Sequence, residues 1–237
     1  MKFLSILFII ILYSASFAQD TTFTFDDYNI SVTNGILSVE DSAAGLTFTK
    51  KFSNPVVDVI DLDDDGVNEI LIKDFTVQNS KNNYSIYVCK DLENGFAISD
   101  SIESGSVEPY SISSDSMEYV LVTGNPKFDK YNENNEEVYS PINCWKYEGN
   151  QLVLINDEFY DIFINENENI INYLDEYFDV NKKDCNSSKA VLAAIVSAYI
   201  NYLNAEEHTL ALQIIQNYYF CTDKDNFKKQ LDILNEE

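Results

Sequence analysis

The chain has 237 residues, and 40 Asp and Glu stand against 15 basic residues, so the formal net charge at pH 7 is −25. All the basic residues are lysines. This balance excludes the basic face that nucleic-acid binding requires, and it disfavours electrostatic docking on an anionic membrane. Hydrophobic residues make up 45% of the chain and aromatic residues 14%, which is enough to bury the core of one large or two small domains.

Residues 1–18 are predicted to be a secretory signal peptide. Lys2 gives a positive start, an apolar run extends from Phe3 to Tyr13, and the small residues Ser16 and Ala18 fit cleavage after Ala18. An uncleaved anchor helix is the alternative, but the run is about half of the ~20 residues that span a bilayer. Because no later stretch is apolar enough to span a membrane, the mature chain is expected to be secreted or periplasmic.

Residues 19–164 are predicted to form a β body. Short segments rich in Val, Ile, Thr, Tyr and Phe recur through it, and clusters of Asn, Gly and Asp divide them. Asn34-Gly35, Asn94-Gly95 and Gly149-Asn150 are typical of hairpin turns, because Gly and Asn tolerate the positive φ that such turns need. The pattern therefore predicts antiparallel strands joined by tight turns.

A weak internal repeat of about 50 residues runs through this body. The segments Glu69 to Ser99 and Glu118 to Ile155 both follow the order strand, long polar loop, strand, tight turn, strand. This order is typical of propeller-type blades or an open meander, but two or three units are too few for a closed propeller, which usually has at least about four blades. The expected fold is a mainly β chain with blade-like or sandwich antiparallel sheets, followed by helices.

One segment of the body carries the chemistry of a cation site. Asp61, Asp63 and Asp65 alternate, Gly66 follows, and Glu69 stands at the start of the next apolar run. Calcium takes about six to eight oxygen ligands, which carboxylates at alternating positions of a tight loop can supply. Without a cation, these acidic groups would repel one another across a short loop. An acidic surface turn, in a chain already rich in Asp, is the alternative interpretation.

An ordinary EF-hand does not fit this loop, because its twelfth position holds Ile72 instead of a bidentate Glu and strand-type runs flank it. The segment resembles the calcium loop of FG-GAP/VCBS repeats, which occur in integrin-like β-propeller blades, strongly over residues 56–75 and weakly over 56–155. The resemblance implies a β scaffold and a calcium site with these ligands: Asp61, Asp63, Asp65, the Val67 carbonyl and Glu69. The family usually has Asp at the last of these positions.

The second copy of this loop that the family would have is degenerate here. The segment from Ser113 to Glu118 occupies the expected place but lacks alternating carboxylates. We therefore expect a second blade without metal. In an extracellular setting, calcium modules bind at about 10⁻⁴–10⁻³ M, which suits a structural ion.

Residues 165–237 are predicted to be helical. Apolar residues at three- and four-residue steps are strongest from Ala190 to Leu203, and shorter segments follow at Leu210 to Phe220 and Asn226 to Leu234. Cys185 and Cys221 flank this stretch, so a helical hairpin could join them in a disulfide. Two further cysteines occupy similar places in the two repeats and form the second expected pair, Cys89 and Cys144. Buried thiols are the alternative for some or all four.

The sequence favours a non-catalytic structural or interaction protein that binds calcium, with a protein or a carbohydrate as its partner. His208 is the only histidine, and motifs for nucleophilic, metalloprotease or nucleotide chemistry are missing. A polysaccharide-active hydrolase outside the cytoplasm is one alternative, which would need two facing carboxylates. A carbohydrate-binding module is another, for which the best stacking candidates are Tyr131, Tyr139 and Trp145.

Overall fold

The computed structural model describes residues 21–25, 27–43, 45–78, 80–92, 95–113, 119–132 and 138–236. The predicted signal peptide, with its cleavage after Ala18, lies outside these residues, as do positions 114–118 of the predicted degenerate loop. Internal contacts divide the chain into two compact units, Met1–Phe52 and Ser53–Glu237. This division falls inside the β body that the sequence pattern treats as one region.

The described residues of the first unit form an antiparallel sheet whose strands follow one another in chain order. Its strands are β1 (Thr21–Phe25), β2 (Tyr28–Thr33), β3 (Ile36–Asp41) and β4 (Gly45–Lys51). The turn between β2 and β3 has positive φ at both Asn34 and Gly35, as the sequence predicts for a tight hairpin. Alternate residues of the two strands are buried, because successive side chains of a strand point to opposite faces.

In the second unit, the part of the chain that the structure describes forms two more antiparallel sheets of four strands, again in chain order. The strands of the first of them are β5 (Val56–Ile60), β6 (Glu69–Gln78), β7 (Lys81–Leu92) and β8 (Gly95–Gly105). Those of the second are β9 (Tyr110–Ser113), β10 (Tyr119–Gly124), β11 (Ile142–Glu148) and β12 (Gln151–Leu154). The prediction of blade-like or sandwich antiparallel sheets followed by helices is confirmed.

Sheet β9–β12 is covered on both faces. One face packs on sheet β5–β8 through a core that includes Leu71, Val88, Leu121 and Tyr147. Its other face packs on the helical region through residues such as Val122, next to which Cys144 is also buried. A strand that is covered on both sides buries successive residues, which explains why every residue of β10 from Val120 to Gly124 is buried.

The helical region begins with α1 at Tyr160, five residues before the predicted boundary at 165. Its helices are α1 (Tyr160–Val180), α2 (Cys185–Ala190), α3 (Leu192–Asn204), α4 (His208–Tyr218) and α5 (Lys224–Glu236). Helix α3 is buried all round, from Ala193 to Tyr202, so it forms the centre of the helical core. The side chain of Asp184 caps α2 by accepting a hydrogen bond from the Ser187 N–H.

Buried and half-buried amide side chains connect the helical region to sheet β9–β12. Asn201 Oδ1 accepts a hydrogen bond from the Ile142 N–H at 3.0 Å, and Asn204 Nδ2 donates to the Ile142 carbonyl at 3.0 Å. Asn201 Nδ2 also donates to Asn167 Oδ1 on α1 at 3.2 Å. Because unpaired buried amides are costly, this network fixes α1 and α3 against the start of β11.

The cysteines divide into one bridge and two thiols. Cys185 and Cys221 form a disulfide between the start of α2 and the segment after α4, as predicted. The predicted bridge between Cys89 and Cys144 is wrong, because both are buried thiols on strands of different sheets, β7 and β11. Cys89 and Cys144 occupy equivalent strands of the two repeats. Because each repeat forms its own sheet, these equivalent strands are not neighbours.

The disulfide should contribute strongly to stability. It joins residues 36 positions apart, so in the chain-entropy account it restricts the unfolded state by about 3–4 kcal/mol. We expect the double variant Cys185→Ser/Cys221→Ser to lose about that much free energy of unfolding in urea. A thiol titration of the unfolded, unreduced protein should give two reactive thiols, and four after reduction; four before reduction would contradict the bridge.

Candidate metal centre

The acidic loop lies between β5 and β6 and is shaped by its own side chains. Asp61 Oδ2 accepts a hydrogen bond from the Gly66 N–H at 2.9 Å, and Asp65 Oδ1 accepts one from the Val67 N–H at 2.7 Å. Asp64 and Gly66 both have positive φ, at 57° and 83°. Gly adopts this conformation without the steric cost of a Cβ, and Asp is among the side chains that tolerate it best. The loop is thereby folded back on itself.

This folding brings the three alternating carboxylates together. Asp61, Asp63 and Asp65 each offer one oxygen, and these oxygens all lie within 4.8 Å of one another. The Asp63 side chain is 17% exposed and the Asp65 side chain is 44% exposed, so Asp63 is the more buried of these two residues. The spacing that the sequence shows therefore does place three hard oxygen donors around a common centre.

Glu69 takes a different position from the other acidic residues. It is completely buried at the first residue of β6, and its Oε2 accepts a hydrogen bond from the Leu62 N–H at 3.0 Å. Its Oε1 lies 2.8 Å from the ammonium nitrogen of Lys90. Burial raises the pKa of Glu69, although both partners act in the opposite direction by favouring the ionised form.

Lys90 completes the site from the neighbouring strand. The antiparallel β6–β7 register pairs Ile70 with Cys89. The next pair along the ladder is therefore Glu69 and Lys90, which face each other across the two strands. The Lys90 Nζ lies 3.1 Å from Asp65 Oδ2 and 3.7 Å from Asp63 Oδ2, and its side chain is only 12% exposed. The ammonium group is therefore surrounded by carboxylates from three sequence positions.

The charges of the site shift the pKa values of its members. Burial lowers the pKa of Lys90, but its close contacts with the Glu69 and Asp65 carboxylates outweigh this effect, so the net direction is upwards. The Val67 N–H, followed by Lys90, holds the pKa of Asp65 below its usual value. Lys90 therefore remains a cation in the folded protein.

One ammonium group does not satisfy every oxygen of the cluster. In the described part of the chain, four buried side-chain atoms make no hydrogen bond, and three of them are here: Asp61 Oδ1, Asp63 Oδ1 and Glu69 Oε1. The Glu69 atom has Lys90 at 2.8 Å, so the ion pair satisfies it. The two Oδ1 atoms have no such donor, and a buried oxygen without a partner costs about 1–3 kcal/mol. Their position among hard oxygen donors fits a bound cation.

The five predicted ligands thus divide into three groups. Asp61, Asp63 and Asp65 converge, whereas Glu69 is adjacent but paired with Lys90. Val67 contributes its N–H to Asp65, and its side chain is exposed. Lys90, which stands 21 positions after Glu69, was not predicted from the sequence to belong to this site. The signal that could have found it is the hairpin register, because β6 and β7 continue through the stretch predicted as a long polar loop.

The predicted stacking residues do not form one surface. Trp145 packs with the core between the two sheets, and its Nε1–H donates to Thr123 Oγ1 at 2.9 Å. Tyr131 and Tyr139 instead pack against the helical core, where the Tyr139 ring stacks on Tyr173 at 4.9 Å. These aromatic side chains therefore contribute to two separate cores.

No protein family, curated protein or solved structure matches the chain. The resemblance to FG-GAP/VCBS repeats accordingly rests on the loop pattern and remains a prediction. Among the described helices, none combines the length and apolar character needed to cross a membrane.

Replacement of Lys90 tests the electrostatics of the site. We expect Lys90→Met, measured by urea unfolding in the presence of a chelator, to lose about 3–5 kcal/mol, because it leaves the buried Glu69 carboxylate without its partner. Lys73→Met is the matched control on the same sheet. Lys73 lies 4.0 Å from the half-exposed Asp58, and its loss should cost less than about 1 kcal/mol. Equal costs for the two variants would contradict this description of the site.

Proposed function

We propose that the chain is a calcium-binding structural or interaction protein that works outside the cytoplasm and is not catalytic. The observation that carries the proposal is the pair of buried oxygens, Asp61 Oδ1 and Asp63 Oδ1, which make no hydrogen bond and belong to two of the three converging carboxylates. A divalent ion at this point would tie the end of β5 to the start of β6. Its contribution would be charge neutralisation and a rigid turn.

The donor set favours calcium over other divalent ions. Asp61, Asp63 and Asp65 supply carboxylate oxygens, and sulfur or imidazole groups, which zinc prefers, are not among the clustered ligands. Asp65 is 44% exposed, so water can complete the shell on that side. Calcium accepts such irregular shells of six to eight oxygens, whereas magnesium demands a near-ideal octahedron.

A structural role suits the way in which the acidic groups are held. Glu69 is held in place by the Leu62 N–H and the Lys90 ammonium group, and Asp65 by the Val67 N–H and the same ammonium group. Groups that are fixed by several partners can stiffen a turn but are poorly placed to exchange protons with a substrate. The predicted export agrees with the Cys185–Cys221 bridge, because disulfides persist in oxidising compartments.

Two observations weigh against the alternative of a polysaccharide hydrolase. Burial raises the pKa of Glu69 and of Asp129, which is the property expected of a catalytic acid. Glu69, however, is completely buried. Asp129 accepts hydrogen bonds from both the N–H and the hydroxyl of Ser106, at 3.0 and 2.6 Å, and so fixes the chain just after β8.

The alternative of a carbohydrate-binding module would need a shared aromatic surface. The separation of Trp145 from Tyr131 and Tyr139 weighs against such a surface.

Calcium should stabilise the protein measurably. At a calcium concentration ten times Kd, linkage predicts about 1.4 kcal/mol of added stability, or a rise in Tm of about 3–5 °C for a chain of this size. Differential scanning calorimetry at millimolar calcium measures this rise. We expect Asp63→Asn, which keeps the shape of the side chain, to abolish most of it.

Asp64→Asn is the matched control for this experiment. Asp64 is in the same loop but is exposed and outside the converging group, and Asn tolerates its positive φ. This variant should retain the full calcium-dependent rise. A wild-type Tm that does not respond to millimolar calcium, or an equal loss in both variants, would refute the proposed site.

A further inference from the structure

We infer that Lys90 is a tethered counter-ion of the acidic loop, whose ammonium group competes with a divalent cation for the same carboxylates and thereby sets the calcium affinity of the site. The inference rests on the proposed calcium binding and adds its regulation. Lys90 is the only cationic group within salt-bridge distance of Asp63, Asp65 or Glu69 in the described residues.

The competition follows from shared ligands. Two of the three converging carboxylates, those of Asp63 and Asp65, also face the Lys90 ammonium at 3.7 and 3.1 Å. A cation bound among the same oxygens would lie only a few Å from the ammonium group. Two positive charges at such a distance repel each other strongly in a partly buried site. Calcium binding must therefore weaken or remove the contacts that Lys90 makes with these two residues.

Lys90 has other interaction partners when its contacts with Asp63 and Asp65 are lost. Its Nζ lies 2.8 Å from Glu69 Oε1, and Glu69 is outside the converging group. The Nζ also lies 5.8 Å from the centre of the Tyr147 ring, within the range of cation–π attraction. The ammonium group can thus keep its pairing with Glu69 and the ring while it releases Asp63 and Asp65. Two closed arrangements of the loop result, one with the cation and one without it.

This arrangement has consequences for selectivity. Lys90 is covalently attached and held by the β6–β7 ladder, so its ammonium group acts at a high effective concentration. A monovalent ion carries the same charge as the Lys90 ammonium group that it would displace. A divalent ion carries twice that charge, so its attraction to the carboxylates is about twice as strong. The site should therefore ignore sodium and potassium and respond to calcium only at high concentration. The loop also stays closed when calcium is scarce.

Calorimetric titration with calcium tests the competition in wild type, Lys90→Met and Lys73→Met. Removal of the competing charge should lower the Kd by roughly tenfold or more in Lys90→Met, while Lys73→Met should stay within about twofold of wild type. Equal Kd values in wild type and Lys90→Met would overturn the competition and leave the calcium site intact. The absence of binding in both would overturn the competition and the proposed function together.

A second measurement uses the unaltered protein, in case Lys90→Met fails to fold. Amine acetylation followed by mass spectrometry reports the reactivity of each lysine. Calcium should raise the acetylation rate of Lys90, because its contacts with Asp63 and Asp65 are released, and should leave Lys73 unchanged. A Lys90 rate that does not respond to saturating calcium would overturn the inference.

Discussion

Four carboxylates lie close together where β5 turns into β6, and one ammonium group from β7 contacts three of them. Glu69 is completely buried, so its charge could not be kept inside the sheet without the Lys90 partner at 2.8 Å. The same ammonium group offsets Asp63 and Asp65, yet two buried oxygens remain without donors. We expect the closure of this loop to depend on positive charge, because uncompensated carboxylates would repel one another there. That requirement links the fold to the proposed calcium binding.

The position of the site also connects it to the rest of the second unit. Leu62, inside the acidic loop, donates its N–H to Glu69 while its side chain packs in the core between the two sheets. Tyr147, on the opposing sheet, lies next to Lys90 and has its hydroxyl 2.8 Å from the Ser99 hydroxyl. A change in the conformation of the acidic loop would therefore alter the packing between the two sheets. This is the physical reason to expect calcium to act on the stability of the whole unit.

Local features were predictable from the sequence. The turns Asn34-Gly35 and Gly149-Asn150 have positive φ at both residues, since the identity of two neighbouring residues largely decides such a turn. The convergence of Asp61, Asp63 and Asp65 is local as well, because Gly66 and the loop's own N–H groups produce it. The periodicity of α3 was equally clear, and the hairpin of helices correctly suggested the Cys185–Cys221 bridge.

Features that depend on long-range register were missed. Lys90 meets Glu69 only because β6 and β7 extend to Gln78 and Lys81, through polar residues that resemble a loop. The false Cys89–Cys144 pair has a similar origin, since an internal repeat indicates equivalent strands but not which strands are adjacent.

Anomalous diffraction from crystals grown with calcium, or with terbium in its place, would locate an ion bound in the acidic loop. We expect a single strong peak at about 2.3–2.6 Å from carboxylate oxygens of Asp61 and Asp63, with the Lys90 ammonium moved away from Asp63 and Asp65. Ordered loop density without a peak at saturating ion, and with Lys90 still in contact with Asp63, Asp65 and Glu69, would show that the lysine alone neutralises the loop and would refute the calcium site.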